Sequence, residues 1–364
     1  MTEVSDSDNN VTPIFGLTRS QLRPIIEGIV RHEPVVSFDI IIEHQVQGYC
    51  GYSAEKVIPT FSYTTQSGDA GRITVFVKRF HRTGAAEAHH YINLQNHQAP
   101  TPHMYGVLTD PDEREILFLE YLEPIGDIQA CEKFMDDQDN FRQCMAATAN
   151  FNAIQPSGEY AIQLPRKNIV QGLTDVAVTL ERIWTHACNG ELGDDLKSLC
   201  LDSRNRLQQL QTFARDLIEP VLKMDKGLIH SDIYPENTGW RRGKEELLII
   251  DLEWIGFGPR FYDAAGWLGA PDDLQLHVNQ RRGLAQYYME QYVHWGGREA
   301  PLDQFMKESS VLWLAQTFIM LWFGLARALD GRVDWTEDRE AGRRSSCEGL
   351  YKELRVLLQE ATRD

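Results

Sequence analysis

In the stretch "HSDIYPEN" an acid and an amide, Asp232 and Asn237, stand five positions apart, and a second acid, Asp251, ends the apolar run "LLIID" further on. Carboxylate and amide carbonyl oxygens are hard ligands, suited to a divalent cation held against phosphate groups. One of the acids can also orient a hydroxyl and accept its proton. Asp232 and Asn237 alone read equally well as an Asx-rich turn, and Asp251 alone as a strand-end acid facing solvent. Taken together, the three favour the chemistry. The segment between the two acids holds one hairpin with "RRGKEE" as its turn, which would return Asp251 to the side of Asn237.

"RITVFVKRF" (72–80) alternates as a strand and carries Lys78. Alone, this lysine reads as a solvated edge residue. The next element, "GAAEAHHYINLQNHQ" (84–98), reads as a helix and carries Glu87. His81, His89, His90 and His97 lie nearby without metal-ligand spacing.

These residues need elements to position them. Residues 17–33 carry apolar positions at helical spacing, with Thr18 or Ser20 as cap; Pro24 fits only in a first turn. Strands follow at 37–47, 57–66 and 72–80, with the two-glycine loop "GYCGYSAEK" (48–56) between the first two. Two more strands, "HMYGVLTD" and 114–123, flank a "DPDE" turn. After about residue 127 the pattern turns helical, over 130–154, 170–190 and 196–222. The stretch with Asp232 interrupts these helices as a short β insertion, and helices then resume. The expectation is α+β: an acidic, disordered tail over 1–16, a small antiparallel β N-lobe with one key helix over 17–122, and a larger helical C-lobe over 123–364. The cleft between such lobes is the default binding site.

A chain of 364 residues suits two lobes. Its formal net charge of −17 argues against nucleic acid and against an anionic membrane surface. Six scattered cysteines without a CxxC pair, and a polar start without an apolar h-region, suggest a reduced cytoplasmic protein. The apolar segment 311–329 carries Gln316, Thr317 and Arg327, and fits a buried helix better than a membrane span.

"HSDIYPEN…LLIIDLEWIGFGPRFYDAAGW" resembles the double motif of the aminoglycoside phosphotransferase and choline kinase superfamily, small-molecule kinases with a bilobal, protein-kinase-like fold. The matching positions are His230, Asp232, Pro235, Asn237, Asp251, Glu253, Tyr262 and Asp263. The resemblance implies Asp232 as catalytic base, Asn237 and Asp251 as ligands of Mg²⁺, and His230 and Asp263 as braces of the loop. Glu253 would assist metal or substrate. Lys78, oriented by Glu87, would pair the nucleotide phosphates. The loop with Gly48, Gly51 and Ser53 would cover those phosphates, and "ILFLEYLEP" would meet adenine through main chain near Glu120 and Leu122. Ser231 stands where many members have Gly, and Tyr234 where aminoglycoside-type members often have His.

The implied activity is ATP- or GTP-dependent, Mg²⁺-dependent transfer of a γ-phosphoryl group to a hydroxyl of a small molecule, of aminoglycoside, choline, sugar or amino-alcohol type. No long segment separates Asp251 from "FYDAAGW", which favours a small acceptor over a protein. A cationic acceptor would suit the aromatic residues Trp254, Trp267, Trp295, Trp335, Tyr287, Tyr288 and Tyr292, or the acids Asp272 and Asp273; Trp313 and Trp322 read as core. A catalytically silent pseudokinase, a protein kinase and a nucleotidyl transferase on the same scaffold are the alternatives. The expected state is a monomer or homodimer.

Overall fold

Thr18 opens the first helix, α1 (Arg19–Ile29), with a reciprocal cap: its Oγ1 accepts from the Gln21 N–H at 3.3 Å, and its own N–H donates to the Gln21 side-chain oxygen at 2.9 Å. Pro24 lies inside this helix and not in its first turn, so the helix runs without one ladder bond. Leu22, Ile25 and Ile26 form its buried face. They join Val57, Phe61, Val75, Val77, Ile116 and Phe118 of the sheet in one apolar cluster.

The structure is a computed structural model that describes residues 10–30, 33–46, 54–81, 86–124, 137–190, 194, 197, 207–233, 235–241, 246–269 and 278–329. By its internal contacts the chain divides into two units, neither continuous in sequence: Met1–Phe151 with Asp232–Ile255, and Asn152–Ser231 with Gly256–Asp364. The hairpin stretch that was expected within a helical lobe of 123–364 thus groups with the first unit. The expected tail, 1–16, also differs in its described part. Val11 bridges to Thr18, and Ile14 and Leu17 are fully buried in the cluster under α1. Arg79 lies over the Phe15 ring, 4.5 Å from its centroid, which fastens this segment further.

In the first unit β1 (Val35–Val46), β2 (Ala54–Thr65), β3 (Ala70–Phe80), β4 (Met104–Thr109) and β5 (Glu115–Glu120) form an antiparallel sheet in the order β1-β2-β3-β5-β4. β3 is therefore central, and Lys78 pairs with Lys56 on one side and Leu117 on the other. Because side chains alternate along a strand, Val75 and Val77 enter the cluster under α1 and Lys78 leaves by the opposite face. There it meets the first residue of α2 (Glu87–Gln95). A second sheet in this unit joins β6 (Leu122–Pro124), β8 (Thr238–Arg241) and β9 (Leu247–Ile249) in the order β6-β8-β9. β8 and β9 are the expected hairpin. A Cβ on Gly239 of β8 would stand 2.8 Å from the Leu122 Cβ, so only glycine lets the two strands approach this closely.

α3 (Gln138–Ala153) precedes the helices of the second unit: α4 (Gly158–Gln163), α5 (Ile169–Cys188), α6 (Leu207–Asp216) and α7 (Ile218–Lys223). One helix was expected over 196–222. Its described part breaks at Leu217, because the ring of Pro220 clashes with a helical carbonyl four residues back, at Asp216. β7 (Lys226–Ile229) pairs antiparallel with β10 (Gly256–Pro259). α8 (Tyr262–Leu268), α9 (Val278–His294) and α10 (Leu302–Leu329) complete the described chain. Leu312, Ala315 and Phe318 of α10 are fully buried, and among the described residues no helix is long and apolar enough to cross a membrane.

Candidate active site

Within the first unit the sheet, α2 and the hairpin bring five polar side chains toward one another. Lys78 Nζ donates to Glu87 Oε2 at 2.6 Å and to Asp251 Oδ1 at 2.9 Å. Lys78 and Glu87 are almost fully buried, while Asp251 is 29% exposed, so the triad opens to solvent on its Asp251 side. Burial pushes the Lys78 amine down, but the carboxylates of Glu87 and Asp251 outweigh it and hold the lysine above its ordinary range. One cation thus answers two carboxylates. The surplus negative charge falls on Glu87, whose carboxyl is raised by burial and by Asp251 and Glu253, against the pull of Lys78.

The hairpin returns Asp251 to Asn237 by backbone register. Thr238 pairs with Ile249, and the Ile250 N–H donates to the Asn237 carbonyl at 2.9 Å. The Asn237 side chain is buried. Its Nδ2 donates to the Asp232 carbonyl at 2.8 Å and to Asp232 Oδ2 at 3.2 Å. The nitrogen end of the amide is therefore turned to Asp232, and Oδ1 is the end left to accept. Asp251 itself takes a left-handed backbone, φ 64° and ψ 64°, at the entry of a short 3₁₀ turn, Leu252–Trp254. A non-glycine residue in this region is strained and is held there by its surroundings.

The second unit holds the backbone that leads into Asp232. Asp263, in the first turn of α8, is buried. Its Oδ2 accepts from the His230 N–H at 2.7 Å, and its Oδ1 from the Ser231 N–H at 2.8 Å. Asn152 adds Nδ2 donations to Asp263 Oδ2 at 2.7 Å and to the Leu228 carbonyl at 3.0 Å, and the Tyr288 hydroxyl donates to Asn152 Oδ1 at 2.9 Å. Burial is the main reason that the Tyr288 hydroxyl is held well above its usual range, so it stays a donor. This chain of bonds ties down residues 228–231 within the second unit, directly before Asp232 in sequence.

Several expected positions stand elsewhere or outside the described residues. Gly48, Gly51, Ser53, Tyr234, Asp272, Asp273 and Trp335 lie outside them, as does the side chain of Trp322. Glu120 gives its N–H to the His103 carbonyl at 2.7 Å, so this group is engaged within the protein. Its carboxylate takes a two-pronged ion pair from Arg241, at 2.8 and 3.0 Å. Leu122 lies opposite Arg241 in the second sheet. Glu253 is half-buried beside the triad, and its negative field reaches Glu87.

The aromatic expectation needs correction. Tyr288 and Tyr292 stack at 6.0 Å and pack with Phe261 and Phe305 in a buried cluster, and Trp267 is buried as well. They are core residues. Trp254 and Trp295 are the exposed ones, at 55% and 46%. Sequence reasoning did not single out Asn152 or Arg241. An asparagine on the buried face of "AATANFNAI" is the one signal that pointed to Asn152.

A model of the phosphotransferase enzyme family matches residues 62–300. No curated protein matches the chain in sequence. Among solved structures, choline kinase from Cryptosporidium parvum Iowa II is similar with a TM-score of 0.53 and 12% identity, over 92% of this chain and 96% of that one. Ethanolamine kinase from Plasmodium vivax gives 0.49 and 12%, over 87% and 84%. A thermostable mutant of aminoglycoside phosphotransferase APH(4)-Ia, in ternary complex with AMP-PNP and hygromycin B, gives 0.42 and 12%, over 90% and 98%. The likeness to choline kinase concerns the fold, which is α+β and protein-kinase-like.

Proposed function

The chain belongs to the phosphotransferase enzyme family, and we propose that it moves the γ-phosphoryl group of ATP or GTP to a hydroxyl of a small molecule. The observation that carries this reading is the Lys78–Glu87–Asp251 triad with Asn237 and Asp232 beside it in one compact unit. The acceptor is of aminoglycoside, choline, sugar or amino-alcohol type. The net charge of −17 and the exposed Trp254 next to Glu253 favour an acceptor that carries a positive charge.

Each residue has a task that its geometry suits. Lys78, kept cationic by two carboxylates, pairs the nucleotide phosphates, and Glu87 holds its ammonium in place. Asp232 orients the acceptor hydroxyl and takes its proton as the oxygen attacks the γ-phosphorus, with the nucleoside diphosphate leaving. Asn237 and Asp251 would hold Mg²⁺. Their donors are an amide oxygen and a carboxylate, both hard, and the nitrogen of the amide is already committed to Asp232. Among the described residues no cluster of three or more His, Cys, Asp or Glu side chains forms a cage for a metal. When bound, the metal would supply charge neutralisation across the phosphates.

The test is ADP release from Mg·ATP in the presence of aminoglycosides, choline, ethanolamine, sugars and amino alcohols, with Asp232→Asn as control. The reading predicts turnover with at least one acceptor class, lost in the variant. Mg·ATP should also raise the Tm of the wild type more than that of Asp251→Ala. No turnover above the control, together with no nucleotide binding, would overturn it.

A further inference from the structure

We propose that Tyr91 is a positioning residue for Asp251, acting through the Asp251 backbone; this rests on the phosphotransfer reading above. Tyr91 lies one helical turn beyond Glu87 on α2, on the same face. α2 packs against the Leu252–Trp254 turn that follows Asp251. Tyr91 is fully buried. Its hydroxyl faces the backbone N–H of Asp251 but forms no full hydrogen bond with it or with any other group among the described residues.

A buried hydroxyl without a bond is a cost to the fold that phenylalanine would avoid. Here it stands at the one residue of the triad whose backbone is strained: Asp251 has φ 64° and is not glycine. Asp251 is also the member with a divided task, since the carboxylate that now accepts from Lys78 is the one assigned to metal. As that carboxylate turns from Lys78, a small shift of its backbone brings the N–H into full bonding reach of the Tyr91 oxygen. The hydroxyl then fixes Asp251 in its left-handed conformation in the metal-loaded state. Tyr91 touches neither nucleotide nor acceptor in this account; it acts through Asp251.

The experiment compares wild type with Tyr91→Phe, which keeps the ring and removes the oxygen. ATP affinity is measured by titration in EDTA and again in MgCl₂, together with the Tm without ligand. The Tm of the variant should equal or exceed that of the wild type, and ATP affinity in EDTA should be unchanged. The gain in affinity that Mg²⁺ confers should fall by about fivefold, the factor of one hydrogen bond of about 1 kcal/mol. In the wild type, hydrogen exchange at the Asp251 amide should slow on addition of Mg·ATP, and this slowing should be lost in Tyr91→Phe. A variant that keeps the full Mg²⁺-dependent gain, or that loses Tm and EDTA affinity alike as a purely structural residue would, overturns the proposal. If the wild type itself shows no Mg²⁺-dependent gain, the phosphotransfer reading falls, which is a separate result.

Discussion

Lys78 and Asp251 are 173 positions apart in the chain and meet at 2.9 Å, with Glu87 on the other side of the same ammonium at 2.6 Å. Removing the lysine leaves Glu87 as an uncompensated buried charge. Lys78→Met should therefore lower stability by about 3–5 kcal/mol and kcat by about 10²–10³-fold, the scale of losing one preorganised charge. The double variant Lys78→Met/Glu87→Leu removes both charges from the buried site, so it should regain most of the stability and none of the activity. Chemical denaturation and ADP-release assays on the two variants separate these outcomes. Equal instability in both would mean that the buried pair is not what costs the single variant its stability.

Glu87 gives a pH signature. Its carboxyl is raised above 4.5, chiefly by burial. A raised folded-state pKa means that the folded state holds this proton more tightly than the unfolded chain does. The stability it contributes is full below about 4.5 and is lost as pH rises through the folded value. Glu87→Gln removes this dependence. The Tm of the wild type minus that of Glu87→Gln should then grow more positive as pH is lowered from 8 toward 5. A difference that stays flat, or that shrinks on acidification, contradicts the shift.

What the sequence disclosed and what it hid divide along physical lines. The β8–β9 hairpin was legible because register and turn length fix Asn237 beside Ile250 and Asp251 locally. The pairing of Lys78 with Glu87, nine positions apart, was legible only through the resemblance, because alternation along a strand by itself leaves a lysine equally at home on a solvated edge. Asn152 was not, since its partners Asp263 and Tyr288 lie 111 and 136 positions away and only tertiary packing selects them. Tyr288 and Tyr292 illustrate the same limit, because an aromatic side chain has the same composition in a core and in a pocket. Ile14 and Phe15 were read as tail because two apolar residues in a polar segment carry no periodicity. The break at Leu217 was available from Pro220 and the 3.6-residue repeat outweighed it.

Asp263 holds the approach to Asp232 through three donors: the N–H groups of His230 and Ser231 and the Asn152 amide. Asp263→Asn keeps the size but turns an NH₂ group toward donors, so at least one bond becomes donor against donor. A loss of about 2–4 kcal/mol in stability is expected, from one or two hydrogen bonds to a charged group. The kcat should fall as well, because Ser231 is bonded directly to Asp232. Tyr288→Phe removes only the outermost bond of the chain and should cost about 1 kcal/mol with kcat nearly intact. A kcat loss for Tyr288→Phe as large as that for Asp263→Asn would contradict this order.

Ser231 and Asp251 both carry a positive φ, 72° and 64°, although neither is glycine. The backbone at Ser231 is one that glycine adopts without strain, which gives a physical reason for the glycine that many members of the resembling superfamily place there. Ser231→Gly should therefore keep kcat and leave the Tm equal or slightly higher, the relief of strain offsetting the added freedom of the unfolded chain. Ser231→Val puts a β-branched side chain into the left-handed region and should cost about 1–3 kcal/mol. Asp251 is strained in the same way but cannot be relieved so, because its carboxylate is part of the triad. Asp251→Gly should raise or keep the Tm measured without ligand while abolishing turnover. The two glycine variants, assayed side by side for Tm and ADP release, separate strain that only shapes the chain from strain that serves the reaction. Loss of turnover in Ser231→Gly, with its Tm unchanged, would show that the serine side chain itself takes part.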